Sequence, residues 1–389
     1  MNNQIKLAVA AALLAAASSA NAGISIPAGD WTLDIGGVVN AFYNSSKVSG
    51  QTSASTIGTG LLPNVLSVSG TTRQNDLDVA FTISIQPGGY TKNSLSGGGS
   101  QENRQAFFTF GDKSWGSFKL GKDIGIFAQD AILNDMTLLG VGAGAPGQLG
   151  TAGATTLGGI GAGYLYADWK EQIAYTTPNM NGFSATVGIT QPYNVQTGTA
   201  QAAVGGSTSN KMGGSEPAFE GKVSYDFAAD AVKGKVWASG FSQKISGVAA
   251  AGATDTRATA GDIGATVSAA GFGVTAYYYA GSGVGTTGML DGALGVNGST
   301  RDSDGGYVQA TYVLPTATKL GVAYGVSNLD RAAGDAATFS YTNKRWTAGA
   351  YHPLTKHVNL VAEYNNIKTT LTGTETNTNT VSLGGILFF

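Results

Sequence analysis

LDVAFTISIQ, residues 77–86, changes character at every step. Leu77, Val79, Phe81, Ile83 and Ile85 fall on one parity and Asp78, Ala80, Thr82, Ser84 and Gln86 on the other. Side chains of a strand alternate between faces, so this is a strand with one apolar and one polar face. FEGKVSYDF, residues 219–227, repeats the device: Phe219, Val223, Tyr225 and Phe227 oppose Glu220, Lys222, Ser224 and Asp226. FSATVGIT (183–190), KLGVAYGVS (319–327) and VNLVAEYNN (358–366) follow the same rule. The polar face is wet, and the apolar face needs a partner.

A soluble sandwich and a membrane barrel both alternate in this way, and the connections separate them. Short turns such as AAG at 269–271, LPTAT at 314–318 and PLTKH at 353–357 alternate with long stretches rich in Ser, Thr, Gly and Asn at 45–61, 193–215, 283–304 and 328–338. One rim of short turns and one of long loops is the pattern of an outer-membrane barrel, whose strands each need only about 10 residues. Counting such runs from Trp31 to Phe389 gives about sixteen strands, with fourteen and eighteen left open, each an even number, as closure with both chain ends on one side requires. The expected fold is all-β: a transmembrane antiparallel β-barrel with short periplasmic turns and long extracellular loops.

The two ends agree with an envelope protein. MNNQIKLAVAAALLAAASSANA, residues 1–22, has one lysine, an apolar run from Leu7 to Ala17 and a small-residue close at Ala20, Asn21 and Ala22, which is a secretory signal cleaved before Gly23. The apolar core is shorter than the ~20 residues a spanning helix needs. Residues 23–389 are then the barrel. At the far end TVSLGGILFF, residues 380–389, stops on two phenylalanines, where termini are usually polar and frayed. Val381, Leu383, Leu387 and Phe389 share the outward parity, placing the last ring in an aromatic girdle at the lipid boundary. Ile386 and Phe388 then point inward, which the alternation rule does not explain. Trp31, Tyr43, Phe183, Tyr312, Tyr324 and Tyr364 fall near strand ends with outward parity and fit the same girdles.

Composition removes other classes. No cysteine occurs, so disulfides, thiolate metal sites and thiol nucleophiles are absent. Loss of the signal removes only Lys6, leaving twenty-one basic against twenty-four acidic residues, a charge of about −3. That balance leaves no basic footprint for nucleic acid. Fifty-nine glycines and 12% charged residues accompany the alternation, and no apolar run after the signal reaches membrane-helix length.

Several stretches resemble the Gram-negative trimeric porin family. NRQAFFTFGDKSWGSFKLGKD, residues 103–123, resembles the strand, turn and strand before the porins' inward-folded third loop. EQIAYTTPNMNGFSATVGI, residues 171–189, resembles the strand pair that follows it, and the terminal Phe389 is the family's ending, read by the barrel-assembly machinery. The resemblance implies a sixteen-stranded homotrimeric channel in the outer membrane. Its surroundings would be lipid and lipopolysaccharide, and its cargo small hydrophilic solutes and ions moving by passive diffusion, with no cofactor. The chain departs from the family in a lumen of fewer charges, in the glycine-rich LGVGAGAPGQLGTAGATTLGGIGAGYLY, and in inward Ile386 and Phe388.

A channel needs a constriction rather than a catalytic group. Residues 123–168 are the candidate, because so long a connection in a compact domain is usually functional or disordered. Within it IFAQDAILNDMTLL has the makings of a short helix, with Asp130 and Asn134 a turn apart and Asp135 beside them. The resemblance assigns Asp130 and Asp135 to the loop's acidic positions and Arg104 to the facing wall, with Lys119 and Lys122 nearby. Lys119 opposes Phe118 and Leu120 and so faces inward. Lys122 has the outward parity and reaches the pore only if Gly121 bends the chain.

Other motifs fail on context. Gly283, Gly285 and Gly288 match G-x-G-x-x-G, but no βαβ unit follows. No G-x-S-x-G occurs, and His352 and His357 merely flank a turn. Arg301, Asp302 and Asp304 only faintly resemble a calcium loop. Neither a catalytic nor a metal site is expected. Two alternatives to a passive porin stay open: a substrate-selective channel using inward Trp237, Tyr277 and Tyr279, and a surface adhesin or barrel hydrolase acting through its long loops.

Overall fold

The computed structural model describes residues 23–87, 101–144, 155–193, 216–245, 255–295 and 297–389. The signal segment and most of the 193–215 connection lie outside them. Eighteen strand segments succeed one another. The first nine are β1 (Ile24–Ala28), β2 (Trp31–Val48), β3 (Ala54–Gly58), β4 (Val65–Gln74), β5 (Leu77–Pro87), β6 (Gln101–Asp112), β7 (Gly116–Ile124), β8 (Trp169–Thr176) and β9 (Phe183–Thr190). The second nine are β10 (Ala218–Ala229), β11 (Val232–Ile245), β12 (Thr256–Ala269), β13 (Phe272–Ser282), β14 (Asp302–Val313), β15 (Lys319–Leu329), β16 (Tyr341–Pro353), β17 (Val358–Leu371) and β18 (Thr374–Phe388). A short helix α1 (Gln129–Leu133) and a 3-10 turn (Met136–Leu139) lie between β7 and β8. Among the described residues no helix is long and apolar enough to cross a membrane.

The pairings close a ring of sixteen positions. From β4 to β18 each strand pairs antiparallel with the next, and β2 joins the two ends by pairing with β4 and with β18. The two extra segments share positions already taken. β18 pairs with Val38–Val48 of β2 while β1 pairs with Trp31–Ile35 of the same strand, so β1 prolongs the β18 position. β3 pairs with Phe42–Ser46 and β4 with Thr32–Val38, so these two share the other flank. Closure pairs each of the sixteen ring strands on both sides, which matters where an unsatisfied N–H or C=O facing lipid would cost several kcal/mol; the short β1 and β3 pair with β2.

The two rims follow the expected rule in detail. Asn75–Asp76, Asp230–Ala231 and Ala270–Gly271 are two-residue turns, and Asn75, Asp76, Asp230 and Ala270 carry the positive φ such tight reversals demand. Three of the expected loops are partly strand, and in 283–304 the last three residues already belong to β14. In 45–61, β2 runs on to Val48 and β3 folds back on it, because Ser45 and Ser46 pair with Ser55 and Ala54. In 328–338 the connection begins only after Leu329.

The outer face is apolar as predicted: Ile83, Ile173, Phe219, Ile263, Val322 and Leu383 are all exposed. Of the expected girdle rings, Tyr43, Phe183 and Tyr324 are exposed. Trp31, Tyr312 and Tyr364 are half-buried, each covered by a neighbouring ring: Phe81 at 5.4 Å, Phe272 at 4.4 Å and Trp346 at 4.9 Å between centroids.

The inner face departs from the wet surface that alternation alone suggests. Val38, Phe42, Trp237, Phe241, Tyr277, Ile386 and Phe388 point inward and join one buried cluster with Ile124 at the end of β7 and with Leu61, Phe127, Leu138, Ile160 and Leu165 from the connections. This accounts for the inward Ile386 and Phe388: the wall there is packed against chain folded inside the barrel. Burying such side chains stabilises by about 1.5–3 kcal/mol each, enough to hold an internal segment that no strand pairing secures.

Candidate pore constriction

The first part of the connection between β7 and β8, Ile126 to Gly142, is held at each end by a wall carboxylate. The N–H groups of Ile126 and Phe127 donate to Glu220 on β10 at 2.7 and 2.9 Å. The N–H groups of Val141 and Gly142 donate to Glu363 on β17 at 3.0 and 2.7 Å, and Tyr351 adds its hydroxyl at 2.8 Å. A carboxylate facing consecutive N–H groups is the arrangement by which backbone nests hold anions. Counted from β2, the strands β10 and β17 are the eighth and fifteenth of sixteen ring positions. Ile126–Gly142 therefore runs from one wall almost to the opposite one. At the entry to α1, Ala128 takes the left-handed conformation at φ 62°, which costs a residue with a Cβ on the order of 1 kcal/mol. Its N–H donates to Ser239 on β11 at 3.3 Å.

Between these ties the segment presents its acids. Asp130, in the first turn of α1, accepts from Lys222 on β10 at 2.7 Å and from Lys235 on β11. Burial pushes its carboxyl up, but the two ammonium groups outweigh burial and hold it below its ordinary value of 3.8. Asp135 caps the 3-10 turn, accepting from the N–H and hydroxyl of Thr137 at 2.9 and 2.8 Å, and from the Tyr164 hydroxyl at 2.7 Å. Burial and the neighbouring Asp135 raise the Tyr164 hydroxyl well above its ordinary range, so it stays a donor. Arg345 on β16 stands 3.6 Å from Asp135, both fully buried. Further ties run from the Tyr307 hydroxyl to the Ala131 carbonyl at 2.8 Å and from the Met136 N–H to Gln309 at 2.9 Å.

The cations expected opposite these acids are engaged elsewhere. Arg104 sits at a bulge where the β5–β6 register slips between Ser84 and Gln86. Its Nε donates to Glu102 at 2.8 Å and its guanidinium lies 5.9 Å from the Trp169 ring centroid. It lines a cavity of about 30 Å³ beneath Leu61, Ile132 and Leu138. Lys119 faces inward as parity requires, but it pairs with Asp123 and lies 5.0 Å from the Phe107 ring. Lys122 is a correction. Gly121 does adopt a positive φ of 115°, yet the register with β6 and β8 continues unbroken through it. Lys122 stays beside Ala106 and Glu171 on the parity of exposed Phe108 and Ile173, on the outer wall.

The partners that sequence reasoning missed are Lys222, Lys235 and Arg345, with Glu220 and Glu363 as the anchors. Their inward direction was readable: Lys222 and Glu220 lie on the polar parity of FEGKVSYDF, and Arg345 stands beside the outward, exposed Trp346. Trp237, Tyr277 and Tyr279 are inward but buried, and the Tyr277 hydroxyl donates to Asp262 at 3.1 Å. They pack rather than line an exposed track. Arg301 forms a buried two-pronged pair with Asp335 at 2.7 and 3.0 Å, joining the connections before β14 and before β16. Among the described residues no group of three His, Cys, Asp or Glu side chains is placed to hold a metal ion. His352 contacts Thr318 and His357 the Phe388 carbonyl, each at 3.0 Å.

A family profile described as Gram-negative porin matches residues 8–372. Among solved structures, the outer membrane channel DcaP of Acinetobacter baumannii is similar at a TM-score of 0.66 and 18% identity, over 95% of this chain and 100% of that one. An anion-selective porin from Comamonas acidovorans follows at 0.61 and 15%, over 92% and 100%. The trimer form of OmpT from Vibrio cholerae matches at 0.57 and 15%, over 92% and 99%. No curated protein sequence matches the chain.

Proposed function

The chain belongs to the Gram-negative porin family, and from that premise we propose that the segment 123–168 is the constriction of its pore. The protein is an outer-membrane diffusion channel. The passage is water-filled and carries small hydrophilic solutes and ions, with selectivity set by Asp130 and Asp135 against Lys222, Lys235 and Arg345, and by Arg104 and Lys119 on the adjoining wall. The observation that carries this reading is the run of Ile126–Gly142 between carboxylates on β10 and β17, nearly opposite one another. Such a crossing puts fixed charges where a passing ion must approach them.

Residues 1–22 act as the cleaved signal, and Phe389 addresses the chain to the barrel-assembly machinery. The trimer form of a structural relative supports a homotrimer, set in lipid and lipopolysaccharide. No catalytic step is assigned: the two histidines contact a threonine and a backbone carbonyl. Purified protein in a planar bilayer is expected to give stepwise ohmic conductance in groups of three. A bilayer that stays tight would contradict the channel reading.

A further inference from the structure

The connection between β13 and β14 also folds inside the barrel. Val284, Leu290, Ala293 and Leu294 are fully buried and belong to the same cluster as Ile160, Tyr164 and Leu165 of the inner segment. The Tyr166 N–H donates to the Thr287 carbonyl at 2.9 Å, and a Cβ on Gly161 would stand 2.6 Å from the Thr287 Oγ1. Residues 283–295 thus lie on the return arm of the inner segment, the arm whose Tyr164 hydroxyl donates to Asp135. At the far foot Arg301 gathers this chain: its N–H donates to the Ala293 carbonyl and its carbonyl accepts from the Gly283 N–H, each at 2.8 Å. Its guanidinium holds Asp335, in the connection before β16, by two bonds at 2.7 and 3.0 Å and lies 4.5 Å from the Phe339 ring centroid.

Resting on the reading of the chain as a channel constricted by 123–168, we propose that residues 283–295 are a lid, closed in this structure, whose lifting raises the conductance, and that the Arg301–Asp335 pair is its latch. The closed position carries costs that lifting relieves. The Thr286 hydroxyl on the lid and the Ser303 hydroxyl at the start of β14 are buried with no hydrogen-bond partner among the described residues, and a buried hydroxyl left unpaired loses the bonds that water would give it. Leu290 is held in the left-handed conformation at φ 65°, which a residue with a Cβ adopts only under constraint. Gly283 and Gly285 at the near foot, at φ 72° and 76°, supply backbone free to turn. Against these costs stand the apolar burial, one backbone bond to the return arm and the latch. An element with stored cost on one side and a charged clasp on the other has two discrete positions rather than a continuum.

The test is single-channel recording in planar bilayers. Each conducting unit of the wild type is expected to dwell at a lower current level with brief openings to a higher one. Asp335→Asn removes the charge that clasps Arg301 and touches no strand pairing, and the fraction of time at the higher level should rise on the order of tenfold. The opposite arm locks the lid down. The chain has no cysteine, and a Cβ on Gly161 would stand 3.3 Å from the Thr287 Cβ, close to disulfide spacing. Gly161→Cys with Thr287→Cys, once oxidised, should stay at the lower level and regain openings on reduction with dithiothreitol. That comparison is made within one protein and decides the matter if Asp335→Asn does not assemble. An unchanged higher-level fraction in Asp335→Asn, identical recordings before and after reduction, or cysteines that do not join would overturn the proposal. Absence of any wild-type conductance would instead remove the channel reading on which it rests.

Discussion

Lys222 of β10 donates to Asp130 of α1 across 2.7 Å, joining the barrel wall to the segment folded inside it. The two residues lie ninety-two positions apart in the chain. This contact, with the second one from Lys235, fixes where the inner segment's first acid stands. An ion pair so little exposed is screened far less by salt than one at the rim.

The pH dependence of this contact follows from its sign. Asp130 is held below its ordinary 3.8 by Lys222 and Lys235 against the opposing effect of burial. A lowered folded value means that the pair's contribution is complete above the ordinary value and is lost as pH falls through the lower one. Reversal potentials in a salt gradient should therefore owe nothing to Asp130 titration between pH 7 and pH 5. The Asp130 contribution should disappear only in more acid solution, as the difference between wild type and Asp130→Asn vanishes there.

Glu363 holds the far end of the segment by accepting from two successive N–H groups and from Tyr351. Glu363→Gln keeps the shape but leaves a single neutral oxygen for those donors, costing about 1–3 kcal/mol locally. Barrel pairing is untouched, so heat-modifiable migration on gels should match wild type. Open-channel current noise should increase as the turn at Val141 loosens, and noise equal to wild type would show that this tie does not hold the segment.

Phe389 closes the barrel through backbone as well as ring. The Gly37 N–H donates to its carbonyl at 2.8 Å, and its own N–H donates to the Gly37 carbonyl at 3.1 Å. A Cβ on Gly37 would stand 2.3 Å from the Val65 carbonyl oxygen and 2.7 Å from the Phe389 ring. Gly37→Ala should cost about 1–3 kcal/mol through overpacking, and deletion of Phe389 should remove both closing bonds. Both variants are expected to reduce the folded, heat-modifiable fraction in outer membranes, which immunoblotting of boiled and unboiled samples measures.

The barrel was legible because strand parity is local. Phe81 and Ile83 declare their face from neighbours two residues away, and two-residue turns such as Ala270–Gly271 mark their rim by composition. The ring's seam was less legible: nothing near Ile24 or Ala54 reveals that β1 and β3 merely prolong positions held by β18 and β4. At the constriction the sequence located the acids but not their partners. Parity turned Lys222 and Arg345 inward, yet which inward cation meets Asp130 or Asp135 depends on the path of a segment crossing the lumen, and a strand pattern carries no information on that path. The likeness of residues 103–123 to the porins directed attention to Arg104 and Lys119, which their own hairpin's acids, Glu102 and Asp123, engage.

The central claim is that charges on the inner segment set what the channel passes, and the most direct measurement is the reversal potential across a potassium chloride gradient for two paired variants. Asp130→Asn with Asp135→Asn removes the two inner acids and leaves Lys222, Lys235 and Arg345 uncompensated. Asp302→Asn with Asp304→Asn removes two acids at the start of β14, where Asp302 is exposed and Asp304 accepts from Asn328 at 3.2 Å. At physiological salt the Debye length is about 8 Å, so a charge at the narrowest passage is felt by each ion while a rim charge is largely screened. The inner pair should move the potential toward anion preference, and the rim pair much less. An equal shift from the rim pair, or none from the inner pair, would show that the segment carrying Asp130 and Asp135 is not the constriction.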